Sequence, residues 1–311
     1  MKITIIDIDS NQSRKKFWQL RDEYLERDIL DKRTISEKSD IHLRKWLLSD
    51  EYKTQIHSIC ERDIDRGRMV FFMNADVIIG FSSYCAYLSE DGKCFIIDFC
   101  VLPEFRGHGI GIDCFNAIEK KEKARGTVYF SLNSANDDAA RFWKRLGFEY
   151  NGVDAHGTML LMQNPTDNAE VSFEEFDTKD FDQLKELLAG YKYAIGENLP
   201  EEAQLENLLL AIREKKIIFF IAKRKTRIIG ICSLSELFST YKCKPVAMFE
   251  DFYVMPVYRH KGIARGLINR VFEVSGQLGI QSILVGANEC DVQMYKSLGF
   301  KNPIGTLLAG E

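Results

Sequence analysis

The stretch Met248–Ala264 decides the fold, reading Met-Phe-Glu-Asp-Phe-Tyr-Val-Met-Pro-Val-Tyr-Arg-His-Lys-Gly-Ile-Ala. Met248 to Met255 is an apolar run of strand composition that carries two adjacent carboxylates, Glu250 and Asp251. Pro256 stops the ladder because it has no N–H to donate. A basic turn, Arg259-His260-Lys261, leads to Gly262. An apolar stripe with helical spacing then begins at Ile263, Leu267, Val271 and Val274. The order is strand, basic glycine turn, helix. A helix start leaves backbone N–H groups unpaired and carries the positive end of the macrodipole. Gly262 has no Cβ, so an anion can approach those groups closely, and the three basic residues add charge. The turn suits a phosphate and, better, a pyrophosphate.

One basic glycine turn is weak evidence, but this chain has two. Ile97–Gly111 reads Ile-Asp-Phe-Cys-Val-Leu-Pro-Glu-Phe-Arg-Gly-His-Gly-Ile-Gly. Asp98 aligns with Asp251, Val101 with Val254, Pro103 with Pro256, Arg106 with Arg259 and Gly109 with Gly262. Downstream, Asn136 to Trp143 followed by Gly147-Phe148 matches Asn288 to Tyr295 followed by Gly299-Phe300, with the same intervals. Each Asn is expected to cap the following helix and each Gly to end it. The chain therefore contains an internal repeat.

Outward from the repeat, 311 residues suffice for about two domains of ~150 residues. The polar, Pro-containing stretch 164–168 separates them, which gives domains 1–164 and 169–311. In the first half the patterning predicts strands Ile3–Asp9, Met69–Met73, Val77–Leu88, Cys94–Val101 and Val128–Leu132, and short ones near Phe148–Gly152 and Thr158–Met162. Helices are expected around Ser13–Asp28, between Ile41 and Glu61, and at Gly109–Lys123 and Asp137–Leu146. The second half repeats the order: strand Val171–Phe176, helix Asp180–Leu188, loop Gly190–Pro200, helix Glu201–Lys215, then strands Ile217–Ala222 and Ile228–Leu237 ahead of the central strand. Helix Ile263–Gln277, strand Ser282–Val285 and helix Asp291–Leu298 follow it. The last strands of this half must be short; Gly305–Ala309 is a candidate for one of them, the alternative being that the other half completes the sheet.

Hydrophobic content of 45% and charged content of 28% are ordinary for a soluble globular protein. A net charge of −4 argues against nucleic acid or membrane as partner. No apolar run is long enough to span a bilayer, and Asp7 and Asp9 interrupt any signal-peptide core, so a cytoplasmic protein is expected. The 8 cysteines include no C-x-x-C pair, and Cys85, Cys94, Cys100, Cys114 and Cys232 sit in apolar segments, which reads as buried reduced thiols. The 5 histidines show no metal-ligand spacing, so no metal is expected. Gly107, Gly109 and Gly111 do not form the dinucleotide fingerprint, and no phosphate-binding loop of the G-x-x-x-x-G-K type is present.

Together these features resemble the GNAT superfamily of N-acetyltransferases in a tandem arrangement. The motif Arg-x-x-Gly-x-Gly/Ala after a strand is met at Arg106–Gly111 and Arg259–Ala264, and Asn, Phe-Tyr and Gly-Phe are met in part at 136–148 and 288–300. The resemblance covers nearly the whole chain. It implies an α/β fold of two tandem GNAT domains, each a mixed, mostly antiparallel twisted sheet flanked by helices. It implies acetyl-CoA or another acyl-CoA as co-substrate, with its pyrophosphate on the turn and its pantetheine between the splayed strands Phe249–Val254 and Ser282–Val285. By that resemblance the second-half contacts are Phe252, Tyr253, Val254, Arg259, His260, Lys261, Gly262, Ile263, Ala264 and Asn288. Those in the first half are Val101, Arg106, Gly107, His108, Gly109, Ile110, Gly111 and Asn136.

Acetyl transfer to an amine needs a base for the ammonium proton, donors for the oxyanion and an acid for the departing thiolate. Glu250 is the candidate base, and Phe249–Val254 resembles spermidine/spermine-type acetyltransferases, in which a Glu works through water. Tyr295 stands at the family's general-acid position, and backbone N–H groups of Phe252 to Val254 are the implied oxyanion donors. In the first half Ile97 and Trp143 replace the two catalytic types, so that domain is expected to be catalytically impaired. The leading expectation is direct acetyl transfer in a ternary complex at the second domain. Its alternative is a non-catalytic acyl-CoA sensor or scaffold, and two working domains with different acceptors form a third. A small-molecule amine is expected ahead of a protein as acceptor. Monomer, homodimer and intramolecular pseudo-dimer all stay open.

Overall fold

The computed structural model describes residues 3–30, 37–134 and 136–305. They form two compact units, Met1–Asn151 with Thr158–Asn168, and Gly152–Gly157 with Ala169–Glu311. The first contains β1 (Ile3–Asp7), α1 (Asn11–Tyr24), a π-helical turn at Leu25–Leu30, α2 (Glu37–Leu47), α3 (Asp50–Cys60), β2 (Gly67–Asn74), β3 (Val77–Tyr87) and β4 (Lys93–Val101). Then come α4 (Ile110–Lys123), β5 (Tyr129–Ser134), α5 (Asp137–Lys144), β6 (Phe148–Val153) and β7 (Met159–Gln163). The sheet order is β1-β2-β3-β4-β5-β7-β6. The β4–β5 pair is parallel; β1–β2, β2–β3, β3–β4 and β5–β7 are antiparallel.

Strand residues alternate between faces, and here both faces are apolar. Phe71, Phe81 and Cys100 meet Phe17, Trp18 and Leu20 of α1 and Tyr52 and Ile56 of α3. Phe72, Ile96 and Phe130 meet Phe115 and Ile118 of α4 and Trp143 of α5. Burying each such side chain contributes roughly 1.5–3 kcal/mol of transfer free energy. Helix α1 is started by Ser10, whose hydroxyl accepts from the Ser13 N–H.

The second unit holds β8 (Val171–Glu175), α6 (Phe181–Ala194), α7 (Glu202–Arg213), β9 (Ile218–Arg224), β10 (Arg227–Ser239), β11 (Lys244–Val254), α8 (Ile263–Gln277), β12 (Ile283–Val285) and α9 (Val292–Leu298). Its sheet order is β12-β11-β10-β9-β8, with β11–β12 parallel and the remaining pairs antiparallel. The stripe Ile263, Leu267, Val271 and Val274 is buried, as its spacing requires. The fold is thus a mixed α/β one with two sheets flanked by helices.

One expectation needs correction, and another falls outside the described residues. Helix α6 runs on to Ala194, so Tyr191 and Tyr193 are helical rather than in a loop. The misleading residue is Gly190, which is buried mid-helix because a Cβ there would stand 2.9 Å from the Tyr253 hydroxyl. Its smallness serves packing, not termination. The expected strand Gly305–Ala309 lies outside the described residues from 306 onward, and Gly305 itself is not in a strand.

A glycine stands opposite the last residue of each central strand: Gly80 pairs with Val101, and Gly230 with Val254. A Cβ on Gly80 would lie 2.3 Å from the Cys100 carbonyl oxygen, whereas on Gly230 the nearest atoms are at 3.3 Å. Gly80→Ala should therefore destabilise the first unit by about 1–3 kcal/mol, and Gly230→Ala should cost the second unit less. The 3 tryptophans, Trp18, Trp46 and Trp143, all lie in the first unit. Denaturant unfolding followed by their fluorescence should shift in Gly80→Ala and not in Gly230→Ala.

Candidate functional site

The site in the second unit begins with an irregularity in β11. Ser233 of β10 faces Glu250 and Ile231 faces Tyr253, so Asp251 and Phe252 together oppose Cys232. This is a β-bulge, and Asp251 takes the left-handed conformation it requires, with φ of 53°. Asp is among the few non-glycine types that accept it. On the other side β12 pairs only with Ala247, Met248 and Phe249. Beyond Phe249 that edge of β11 has no strand partner among the described residues, and its peptide groups there face a cleft.

The cleft continues into the basic turn. Arg259 Nε donates to the Val254 carbonyl at 3.0 Å and ties the turn to the strand end. Gly262 caps α8 with φ of 82° and open space where a Cβ would be, and no side chain caps the helix. The first-turn N–H groups of α8 are therefore open to a ligand. His260 is also left-handed, at φ of 59°, where the first copy has Gly107 at φ of 90°. Arg259, His260 and Lys261 are exposed, and among the described residues no carboxylate pairs with Arg259.

The cleft encloses about 1350 Å³. Of the residues that sequence nominated, Phe252, Tyr253, Val254, Arg259, His260, Gly262, Ile263, Ala264, Asn288 and Tyr295 line it. Lys261 and Glu250 do not. Glu250 is exposed, and like Asp251 it acts electrostatically on Tyr191 of α6, so it belongs to the α6 side of the sheet. Tyr191 and Ile195 close that side of the cleft. Sequence reasoning missed the role of Tyr191 by assigning it to a loop. Burial raises the Tyr191 hydroxyl pKa, and Asp251, Glu250 and Glu197 raise it further.

Tyr295 sits on α9 among Phe249, Phe252 and Phe300, with ring centroids 5.7–6.4 Å away. Its hydroxyl has no hydrogen-bond partner among the described residues, and burial, aided by Tyr191, Asp291 and Cys232, pushes its pKa to about 12. Asn288 does not cap α9 as expected. Its carbonyl instead accepts from the Asp291 N–H at 2.9 Å, and this turn delays the helix start to Val292. Asn136 does cap α5, its Oδ1 accepting from Ala139 at 2.9 Å.

The first unit has the same parts with different occupants. β4 bulges at Ile97, and β5 pairs with β4 only as far as Ile96. The bulge is followed by Asp98, whose carboxylate receives the Ser83 hydroxyl at 2.7 Å and Arg21 Nε at 3.1 Å. Arg21 comes from α1, is 1% exposed, lies 4.4 Å from the Tyr52 ring and donates to the Leu47 carbonyl. Arg106 ties the turn to the Val101 carbonyl at 2.7 Å, as Arg259 does, but its outer nitrogens bind the Asp28 carboxylate at 2.6 and 3.2 Å. Gly107 and Gly109 are left-handed and open, with His108 and Ile110 beside them. Gly111 instead packs on Phe142, and Trp143 is buried among Phe99, Phe115, Phe142 and Phe148.

A strand edge released beside a parallel neighbour, ending at a helix start that favours anions, defines a site for an elongated ligand with a negatively charged group at one end. The sequence profile of the acetyltransferase (GNAT) family matches residues 32–148 and 181–300. The chain belongs to that family, with one match in each unit. A protein of Chlorobaculum tepidum described as an uncharacterized N-acetyltransferase is 27% identical over 122 residues, 39% of this chain and 70% of that protein. A Trypanosoma brucei acetyltransferase structure has 21% identity and a TM-score of 0.39, covering 46% of this chain and all of the other. A predicted acetyltransferase from Clostridium acetobutylicum, solved with acetyl-CoA, has 19% identity and a TM-score of 0.41, covering 45% and 96%. Among the described residues, no cluster of His, Cys, Asp or Glu could hold a metal, and no helix is long and apolar enough to cross a membrane.

The Asp28–Arg106 contact has a pH signature. Partial burial works to raise the Asp28 carboxyl pKa, but hydrogen bonds from Arg106 and Arg27 outweigh it and hold it at about 2. A pKa depressed in the folded state adds stability above the ordinary carboxylate range, and that stability is lost as pH falls toward 2. First-unit stability, read by tryptophan fluorescence, should fall between pH 5 and 2.5, and less steeply in Asp28→Asn. Identical slopes would mean that the contact contributes nothing.

Proposed function

We propose that this chain is an acyl-CoA-dependent N-acetyltransferase whose working site is the second unit. The acceptor, a small primary amine, attacks directly while both substrates are bound. The observation that carries the reading is the β11 edge beyond Phe249, unpaired among the described residues, running into a turn whose arginine meets no carboxylate among them. Acetyl-CoA, or another acyl-CoA, fits the residues present, because Gly262 leaves open space at unpaired N–H groups. When bound, the coenzyme supplies an activated thioester carbonyl. The turn 259–264 would hold its diphosphate, and the N–H groups of Phe252 to Val254 would meet the pantetheine and the carbonyl oxygen.

Glu250, at the end of the paired part of β11, takes the proton that an ammonium of pKa near 10.4 must lose. It works through water, as in the spermidine/spermine-type enzymes that this segment resembles. Tyr295, held protonated by its raised pKa, keeps a proton available for the departing sulfur. The domains are 1–164 and 169–311, and the first does not turn over. Ile97 can take no proton, Trp143 is buried, and both charged positions of that site are satisfied from α1 and the π-helical turn after it. We place the protein in the cytoplasm.

Steady-state thiol release with a panel of amines tests this. Tyr295→Phe should lower kcat by about 10²-fold or more, and Glu250→Gln should lower kcat for amines that reach the site as ammonium ions. Because Tyr295 titrates at about 12, the wild-type rate should show no basic limb from this group below about pH 11. Full kcat in Tyr295→Phe at every pH would remove Tyr295 as the acid. Tight acetyl-CoA binding with no thiol release from any amine would instead favour a binding protein without turnover.

A further inference from the structure

The cleft of the second unit has one uncharged wall. Tyr191, Ala194 and Ile195 stand three and four positions apart at the end of α6, so they share one face of it, and all three line the cleft. Phe252 of β11 and Met294 and Tyr295 of α9 line it as well. Every charged residue among its lining comes from the segments 259–265 and 289–291, so α6 contributes none. Two of the apolar side chains are left open to solvent: Ile195 is 52% exposed and Met294 40%. The first unit shows the same helix face closed. Helices α1 and α6 each have 14 residues, which sets Arg21, Tyr24 and Leu25 against Tyr191, Ala194 and Ile195. Arg21 and Leu25 are buried, and the Tyr24 ring packs edge-on against Phe81 of β3, with 5.9 Å between centroids. Ala194 is exposed and carries only a methyl group where Tyr24 carries that ring. The second unit thus opens an apolar face at a place where this scaffold accepts an aromatic ring.

We infer that this face of α6 selects the acceptor, and that the acceptor is a primary amine with an aryl body. Its ring lies over Ala194, in the position that the Tyr24 side chain holds in the first unit, with Tyr191 and Ile195 on either side. Such a ring removes the exposed Ile195 and Met294 side chains from water and gains an aromatic contact with Tyr191. A short alkylamine covers less of that surface. A diamine sets its second charge against a wall that offers it no charged partner. This inference rests on the second unit being the acyl-transfer site, but concerns which amine it accepts.

The test is calorimetric titration of the full-length protein with 2-phenylethylamine, butylamine and 1,4-diaminobutane, with coenzyme A in excess. Wild type should bind 2-phenylethylamine at least about tenfold more tightly than the other two. Ala194→Tyr is the informative variant, since it rebuilds the first-unit side chain at an exposed position. It should remove the preference while its melting temperature and coenzyme A affinity stay unchanged. Ile195→Ser gives an independent reading, and should weaken 2-phenylethylamine several-fold while affecting butylamine less. Equal affinity for the three amines, no detectable amine binding, or a preference unchanged in both variants would each overturn the inference. The two readings fail separately. Preferential binding of the aryl amine without acetyl transfer would refute the enzymatic reading alone. Acetylation of butylamine as readily as of 2-phenylethylamine would refute this one alone.

Discussion

One extra residue in β11 is the constraint on which the second unit depends. A strand can keep both neighbours only while its register is regular, and the bulge at Asp251 bends it away from β12 just after Phe249. An unpaired strand edge inside a domain is a liability unless something covers its N–H and C=O groups. Here it opens onto a cleft and leads into the start of α8, where further N–H groups are unpaired. The bulge and the glycine turn thus set two groups of open backbone donors, at the β11 edge and at the α8 start, with the hydrogen-bonded segment 255–259 between them. Arg259 fixes their relation by tying the turn to the Val254 carbonyl.

The first unit shows what the same scaffold becomes when its own side chains satisfy those positions. Arg21 and Asp28 lie seven residues apart, in α1 and the π-helical turn after it, and reach the two ends of the corresponding site. The Arg21–Asp98 pair is buried, so removing one partner would strand a charge at a cost of about 3–5 kcal/mol. Such a pair is a commitment: the carboxylate that could meet an external cation is held by an internal one. In the second unit, no side chain among the described residues other than Ser233 bonds the Asp251 carboxylate, and no carboxylate among them pairs with Arg259.

Much of this was legible from sequence because backbone-level signals are local. Pro256, Gly262 and the stripe from Ile263 dictate strand, turn and helix without reference to the rest of the chain, and the repeated spacing made the second copy evidence for the first. Side-chain pairings were not legible. Arg21 and Asp98 are 77 residues apart, and nothing in either neighbourhood announces the other. Glycines misled where they serve packing, as Gly190 does under Tyr253, because a missing Cβ looks the same in sequence whether it frees the backbone or makes room for a ring. Asn288 misled because a turn at 288–291 displaces the helix start that Asn136 caps directly in the first copy.

We propose that the two copies differ in whether their glycine turns receive a coenzyme, because the Asp28 carboxylate occupies Arg106 while no carboxylate among the described residues occupies Arg259. Isothermal titration of the full-length protein with acetyl-CoA measures this directly as a stoichiometry. One site per chain, abolished by substitutions in the 259–264 turn and retained when 106–111 is altered, is the predicted result. Two equivalent sites, none, or a single site that follows 106–111 would contradict it.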